Sequence, residues 1–142
     1  MDIGEVKESL ARFGERYLAR IYAPGEIAYA LSAPAETARR LGARFAAKEA
    51  TIKALRAGLQ GIDPRSIEVE RAPDGACSLR LTGEALAAAQ RAGATSFAVS
   101  LSHQGALATA VVVAQRGASQ SRLWRRRPSS RRIAGALRVH QS

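Results

Sequence analysis

A chain of 142 residues, 46% hydrophobic and with a single cysteine, suits one domain whose core needs no disulfide, as expected of a reducing cytosol. The formal net charge is +10, yet all 12 acidic residues lie in 1–115 beside 14 of the 22 lysines and arginines, which leaves that body at +2. The excess sits in the last 27 residues, with eight arginines and no acid, so the overall charge excludes nothing about the fold and assigns any nucleic-acid affinity to a tail.

In chain order, Val6, Leu10, Phe13, Tyr17 and Ile21 are spaced by 4, 3, 4 and 4, which predicts one helix over 6–21, ended by Ala23-Pro24-Gly25. A short helical segment over 26–31 stops near Pro34. The longest helix is predicted over 35–57, with Leu41, Phe45, Ile52 and Leu55 in one stripe and Gly58 after its end. Residues 62–64 read as loop. Residues 66–71 and 77–81 alternate as strands around Asp74-Gly75, a hairpin signal. Thr82 is placed to cap an alanine-rich helix that ends near Gly93. Residues 96–101 and 107–114 form a second β-rich pair around SHQGA. The expected class is α+β, a small antiparallel sheet packed on helices. The domain is expected over 1–115, followed by an Arg/Ser-rich tail, 116–142, expected to be mostly disordered. The apolar run 106–114 is too short to cross a bilayer, and MDIGEV has no basic-then-apolar leader, so a cytoplasmic location without membrane association is expected.

Chemistry concentrates in RFAAKEATIK, residues 44–53. Glu49 borders the apolar stripe and stands one turn before Lys53. A surface ion pair at i, i+4 would account for that spacing. Arg44, Lys48, Lys53 and Arg56, however, crowd the same helix. Donors around one carboxylate suit a ligand with several phosphates and a divalent cation, since Mg²⁺ takes one or two carboxylates plus phosphate oxygens. A second carboxylate is available in Asp2, for which spacing alone favours a helix N-cap. His103, in VSLSHQG, is either a plain turn histidine or a donor held at a sheet rim. Ser100 and Ser102 alternate with Val99 and Leu101, so they offer hydroxyls on one face. No nucleophile elbow, Walker loop, dinucleotide fingerprint or zinc spacing occurs.

Three stretches together resemble the holo-acyl-carrier-protein synthase family, the small 4′-phosphopantetheinyl transferases. Asp2-Ile3-Gly4-Glu5-Val6 resembles the family's opening motif. RFAAKEATIKAL is similar to its most specific one, and VSLSHQGALATAVVVA resembles its closing strands. Residues 12–27, RFGERYLARIYAPGEI, resemble the segment after the first helix. The likeness spans about residues 1–115 and implies the 4′-phosphopantetheinyl transferase fold. It implies transfer of the phosphopantetheine arm of coenzyme A to a serine of an acyl carrier protein, with release of adenosine 3′,5′-bisphosphate. It further implies Mg²⁺ held by Asp2 and Glu49, and a homotrimer with active sites between subunits. On this reading Glu49, Lys53 and Asp2 are catalytic. Arg44, Lys53, His103 and Ser102 contact the coenzyme, with Arg44 on its 3′-phosphate.

The chain departs from the family pattern in four places. Only Met1 precedes Asp2. Glu8 stands where an arginine facing the carrier is common, which shifts carrier docking to Lys7, Arg12, Arg16 and Arg20. Arg56 replaces a glycine, and the tail has no counterpart. Two competing readings follow: a non-catalytic nucleic-acid-binding protein that uses 122–138 with Trp124 stacking on a base, and a family member that has lost catalysis.

Overall fold

A computed structural model describes residues 1–55, 62–116 and 137–140 of the chain. The helices are α1 (Ile3–Phe13), α2 (Glu15–Ile21), α3 (Pro24–Leu31), α4 (Thr37–Ala54) and α5 (Gly83–Ala92). Short 3₁₀ turns at Pro34–Glu36 and Pro64–Ser66 lead into α4 and the first strand. The strands are β1 (Ile67–Arg71), β2 (Cys77–Leu81), β3 (Ala94–Gln104), β4 (Leu107–Arg116) and β5 (Leu137–His140). β1, β2 and β5 form one antiparallel sheet in that order, and β3 pairs with β4 in another. The expected α+β class with antiparallel pairing is therefore observed.

Three boundaries differ from the sequence reading. The helix expected over 6–21 is two helices, because Gly14 adopts φ 53° and turns the chain. The turn rotates the second half, so Leu18 is buried while Phe13, expected in the apolar face, is 51% exposed. Thr82 holds the N-cap position of α5 without a side-chain capping bond; instead its N–H donates to the Ser66 carbonyl over 2.9 Å. Of the expected tail, Arg116 completes β4 and residues 137–140 form β5, while 117–136 and 141–142, with Trp124, lie outside the described residues. Arg56 and Gly58 lie outside them too.

Two apolar cores meet along α4. One gathers Ile52, Leu55, Ile67, Leu79, Leu81 and Phe97 between the hairpins, α4 and α5. The other packs Ile3, Val6, Leu18, Tyr22 and Leu41 between α1, α2 and α4. Gly42 lies at the contact with α1 and β4, where a Cβ built on it would make ordinary contacts, 3.5 Å from Ala108 Cβ and 3.6 Å from Val6 Cγ2. The Asp74-Gly75 turn forms as expected, with Gly75 at φ 91° and Asp74 Oδ1 accepting from Ala76 N at 2.9 Å.

Candidate active site

Asp2 is exposed at the N-cap of α1, where Oδ1 accepts from Gly4 N at 2.7 Å. Its backbone is also pinned to β4. Met1 N donates to Ala108 O at 2.7 Å, Ala108 N to Met1 O at 2.8 Å, and Ile3 N to Ala106 O at 2.7 Å. The chain thus meets β4 just before α1, in an isolated bridge of Asp2 with Leu107. Leu107 pairs in turn with Gln104, and Ala108 with His103. Asp2 and the neighbourhood of His103 therefore sit on either side of β4, about 10 Å apart by two strand spacings.

Glu49 and Lys53 both point outward from α4 and are exposed. The surface pair that their spacing allows does not form: among the described residues neither side chain has an ion-pair or hydrogen-bond partner. Glu49 lies two turns beyond Gly42 on the same helix face, about 10 Å along the axis from the contact with Ile3 and Val6. Asp2 Oδ2 and both Glu49 oxygens thus remain open. A carboxylate without a protein cation on it suits a Mg²⁺ that completes its shell with phosphate and water. Among the described residues no group of three or more histidines, cysteines, aspartates or glutamates is placed to hold a metal ion.

The other expected bases turn away from Glu49. A step of 100° per residue turns Lys48 from the face of Glu49 to the inward face of α4, where it is 2% exposed. Its Nζ donates to Glu26 Oε1 at 2.7 Å, to Pro64 O at 2.9 Å and to the Ile67 carbonyl. Glu26, itself 1% exposed, accepts from Ala23 N and Val69 N, both at 2.9 Å. The pair ties α3, α4 and β1 together. Burial pulls the Lys48 ammonium below the usual lysine range, and the Glu26 carboxylate opposes that pull.

Arg44 shares this inward face and is 3% exposed, not the open cation expected. Its guanidinium lies 4.5 Å from the Tyr29 ring centroid, beside those of Arg40 at 4.0 Å and Arg71 at 5.7 Å. The buried Nε atoms of Arg40 and Arg44 have no hydrogen-bond partner. Burial lowers the Arg44 pKa, and the charge of Arg71 adds to the effect. Glu26 and Tyr29 thus belong to this region although the motif reading passed over them. The signal for Glu26 was its place two residues after a helix-starting proline, where it reaches back to the Ala23 N–H.

His103 and Ser102 are exposed near the tip of the β3–β4 hairpin. Ser102 Oγ is 2.7 Å from Thr109 Oγ1 across the strands, so its hydroxyl is already engaged. His103 lines a cleft of about 510 Å³ with Ile3, Lys7, Ala38, Arg39 and Gly105. Arg39 there is ion-paired to Glu36, whereas Lys7 has no carboxylate partner among the described residues. Arg12, Arg16 and Arg20 are all exposed, but the break at Gly14 divides them between α1 and α2, so they do not form the single helical stripe expected.

Residues 1–112 match a sequence model of the 4′-phosphopantetheinyl transferase superfamily. A holo-[acyl-carrier-protein] synthase from Desulfovibrio desulfuricans is 40% identical over 114 residues, covering 80% of this chain and 90% of that protein. One from Dehalococcoides mccartyi is 44% identical over 115 residues, covering 81% and 92%. The fold is similar to the crystal structure of the Helicobacter pylori holo-[acyl-carrier-protein] synthase in complex with coenzyme A. That match has a TM-score of 0.70 and 27% identity, over 81% of this chain and 95% of that one. The motifs, the element order and these relatives agree: the chain belongs to the holo-[acyl-carrier-protein] synthase family of 4′-phosphopantetheinyl transferases.

Proposed function

We infer that this chain transfers the 4′-phosphopantetheine arm of coenzyme A to a serine hydroxyl of an apo acyl carrier protein, releasing adenosine 3′,5′-bisphosphate. The observation that carries the reading is Glu49 and Lys53 exposed on the outer face of α4, and unpaired among the described residues, within a chain whose relatives are holo-[acyl-carrier-protein] synthases. In the bond change the serine oxygen attacks the phosphorus that carries the pantetheine arm. The P–O bond to the other phosphate breaks, and the serine proton is lost.

Asp2 and Glu49 would hold Mg²⁺, which supplies charge neutralisation to the pyrophosphate. Glu49 also accepts a hydrogen bond from a water or the incoming serine. Lys53, one turn on, places a point charge beside the phosphates as the leaving group gains charge. Positioning and electrostatics suffice for such a transfer. His103, at the cleft, offers its ring nitrogens to the coenzyme's phosphates, with Ser102 beside it. For the 3′-phosphate we keep Arg44 as the candidate, flanked by Arg40 and Arg71, none of the three being ion-paired to a carboxylate among the described residues. Lys7 at the cleft, with Arg12, Arg16 and Arg20, forms the basic surface for the carrier.

A homotrimer with active sites between subunits fits the outer face of β4, where Leu107, Val111 and Val113 are 52, 63 and 57% exposed. Such a bare apolar face calls for a partner surface. A cytoplasmic setting and a role in fatty-acid biosynthesis complete the proposal.

The test is mass spectrometry of an apo carrier protein incubated with this chain, coenzyme A and Mg²⁺. One phosphopantetheine mass is expected on the carrier. With Glu49→Gln the shift disappears while the thermal midpoint stays unchanged. A folded wild-type chain that leaves the carrier unmodified overturns the activity, and undiminished turnover in the variant overturns the role of Glu49.

A further inference from the structure

We propose that the outer edge of β2 is a strand-addition site, and that its ligand is the extended segment Leu137–His140 of this same chain. β2 has β1 on one side, in a register from Ile67↔Leu81 to Arg71↔Cys77. Without β5 its other edge would present a row of unpaired N–H and C=O groups, a template for any extended peptide. The edge is well held: Leu79 and Leu81 are fully buried and Cys77 and Ser78 nearly so, so the core fixes β2 from behind. β5 lies on it antiparallel, with Ser78↔His140, Leu79↔Val139, Arg80↔Arg138 and Leu81↔Leu137. It also lies against β3, so one short strand spans the seam between the two hairpins.

The ligand comes from beyond the shared core. The superfamily match ends at residue 112, and the relatives align over 114 and 115 residues. β5 begins twenty residues after the end of β4. This is recognition by strand addition, where main-chain hydrogen bonds give affinity and alternate side chains give selectivity. Because the segment belongs to the same chain, its pairing is intramolecular, and a free peptide competes poorly with it.

Amide hydrogen exchange on the full-length chain tests the site without reference to catalysis. In an antiparallel pair alternate residues point their N–H groups at the partner. Whichever alternate pair faces β2, replacing both Arg138 and Val139 by proline therefore removes one of its two amide donors and breaks the ladder. The expected result is exchange at least tenfold faster at the β2 amides that face β5, with β1 amides unchanged. A synthetic peptide of residues 133–142 added to this variant should restore protection, and the same peptide carrying both prolines should not. Equal β2 exchange in the native and proline chains overturns the proposal. Should the proline chain lose β1 protection as well, the pairing is read from Ser78→Cys with His140→Cys in the otherwise native chain. An intrachain disulfide on oxidation supports the site. An interchain disulfide, or none, overturns it.

Discussion

Lys48→Met isolates the buried Glu26–Lys48 pair. The substitution keeps the length of the side chain but removes three hydrogen bonds: to Glu26 Oε1, to Pro64 O and to the Ile67 carbonyl. It leaves a carboxylate that is 1% exposed with only its two backbone donors, Ala23 N and Val69 N. Breaking one side of a buried ion pair costs about 3–5 kcal/mol. At about 4 °C per kcal/mol, the thermal midpoint should fall by roughly 12–20 °C. Replacing both partners, Glu26→Met with Lys48→Met, removes the stranded charge, so the double variant should lose less than the sum of the two singles. The assay is a double-mutant cycle by urea unfolding, with turnover measured under conditions where each variant stays folded. A loss under about 1 kcal/mol for Lys48→Met, or additivity within about 0.5 kcal/mol, would refute the keystone role. A folded Lys48→Met chain that has lost turnover would instead place Lys48 in the chemistry, against the geometry described above.

The remaining predictions concern α4 and β1. Lys53→Met should leave the thermal midpoint within about 1 °C, because the side chain is exposed and unpaired, yet lower kcat by roughly 10²–10³, as loss of one charge-stabilising donor does; single-turnover kinetics would read this. Gly42→Ala should stabilise the chain by about 0.5–1 kcal/mol, since the new Cβ meets Ala108, Val6 and Ile3 at ordinary contact distances and a helix gains from alanine, whereas Gly42→Val should not; calorimetry separates the two. Burial first, then the Glu26 and Glu70 charges, raise the Glu68 pKa. Its ionisation therefore opposes folding as pH rises through the unfolded and then the folded value. Glu68→Gln should stabilise the chain at pH 7 by under about 1 kcal/mol, read by urea unfolding, and the gain should vanish at a pH below the ordinary carboxylate range, where the native group is neutral in both states.

Periodicity in the sequence reports which residues share a face; it does not report where the chain turns. The spacing of Val6 to Ile21 fits one helix, but Gly14 at φ 53° divides it, and with it the arginine face at 12, 16 and 20. The hairpins were legible because Asp74-Gly75 and Gly105 sit between alternating runs. In the site, Glu49 and Lys53 were read correctly as neighbours of the apolar stripe. Arg44 and Lys48 were misread as open bases, because a charged residue bordering a stripe can turn either way, and the carboxylate that draws Lys48 inward lies 22 residues earlier in the chain. β5 was invisible to pattern reading: four residues that follow an arginine-rich stretch carry too short an alternation to declare a strand, and only a waiting edge makes them one.

Because one helix turns Arg44 and Lys48 inward and Glu49 and Lys53 outward, adjacent letters of RFAAKEATIK answer to different selective demands. A saturation scan across that decapeptide should therefore split by helical phase. Changes at Lys48 would deplete protein abundance in cells, while changes at Glu49 and Lys53 would spare abundance and silence carrier modification.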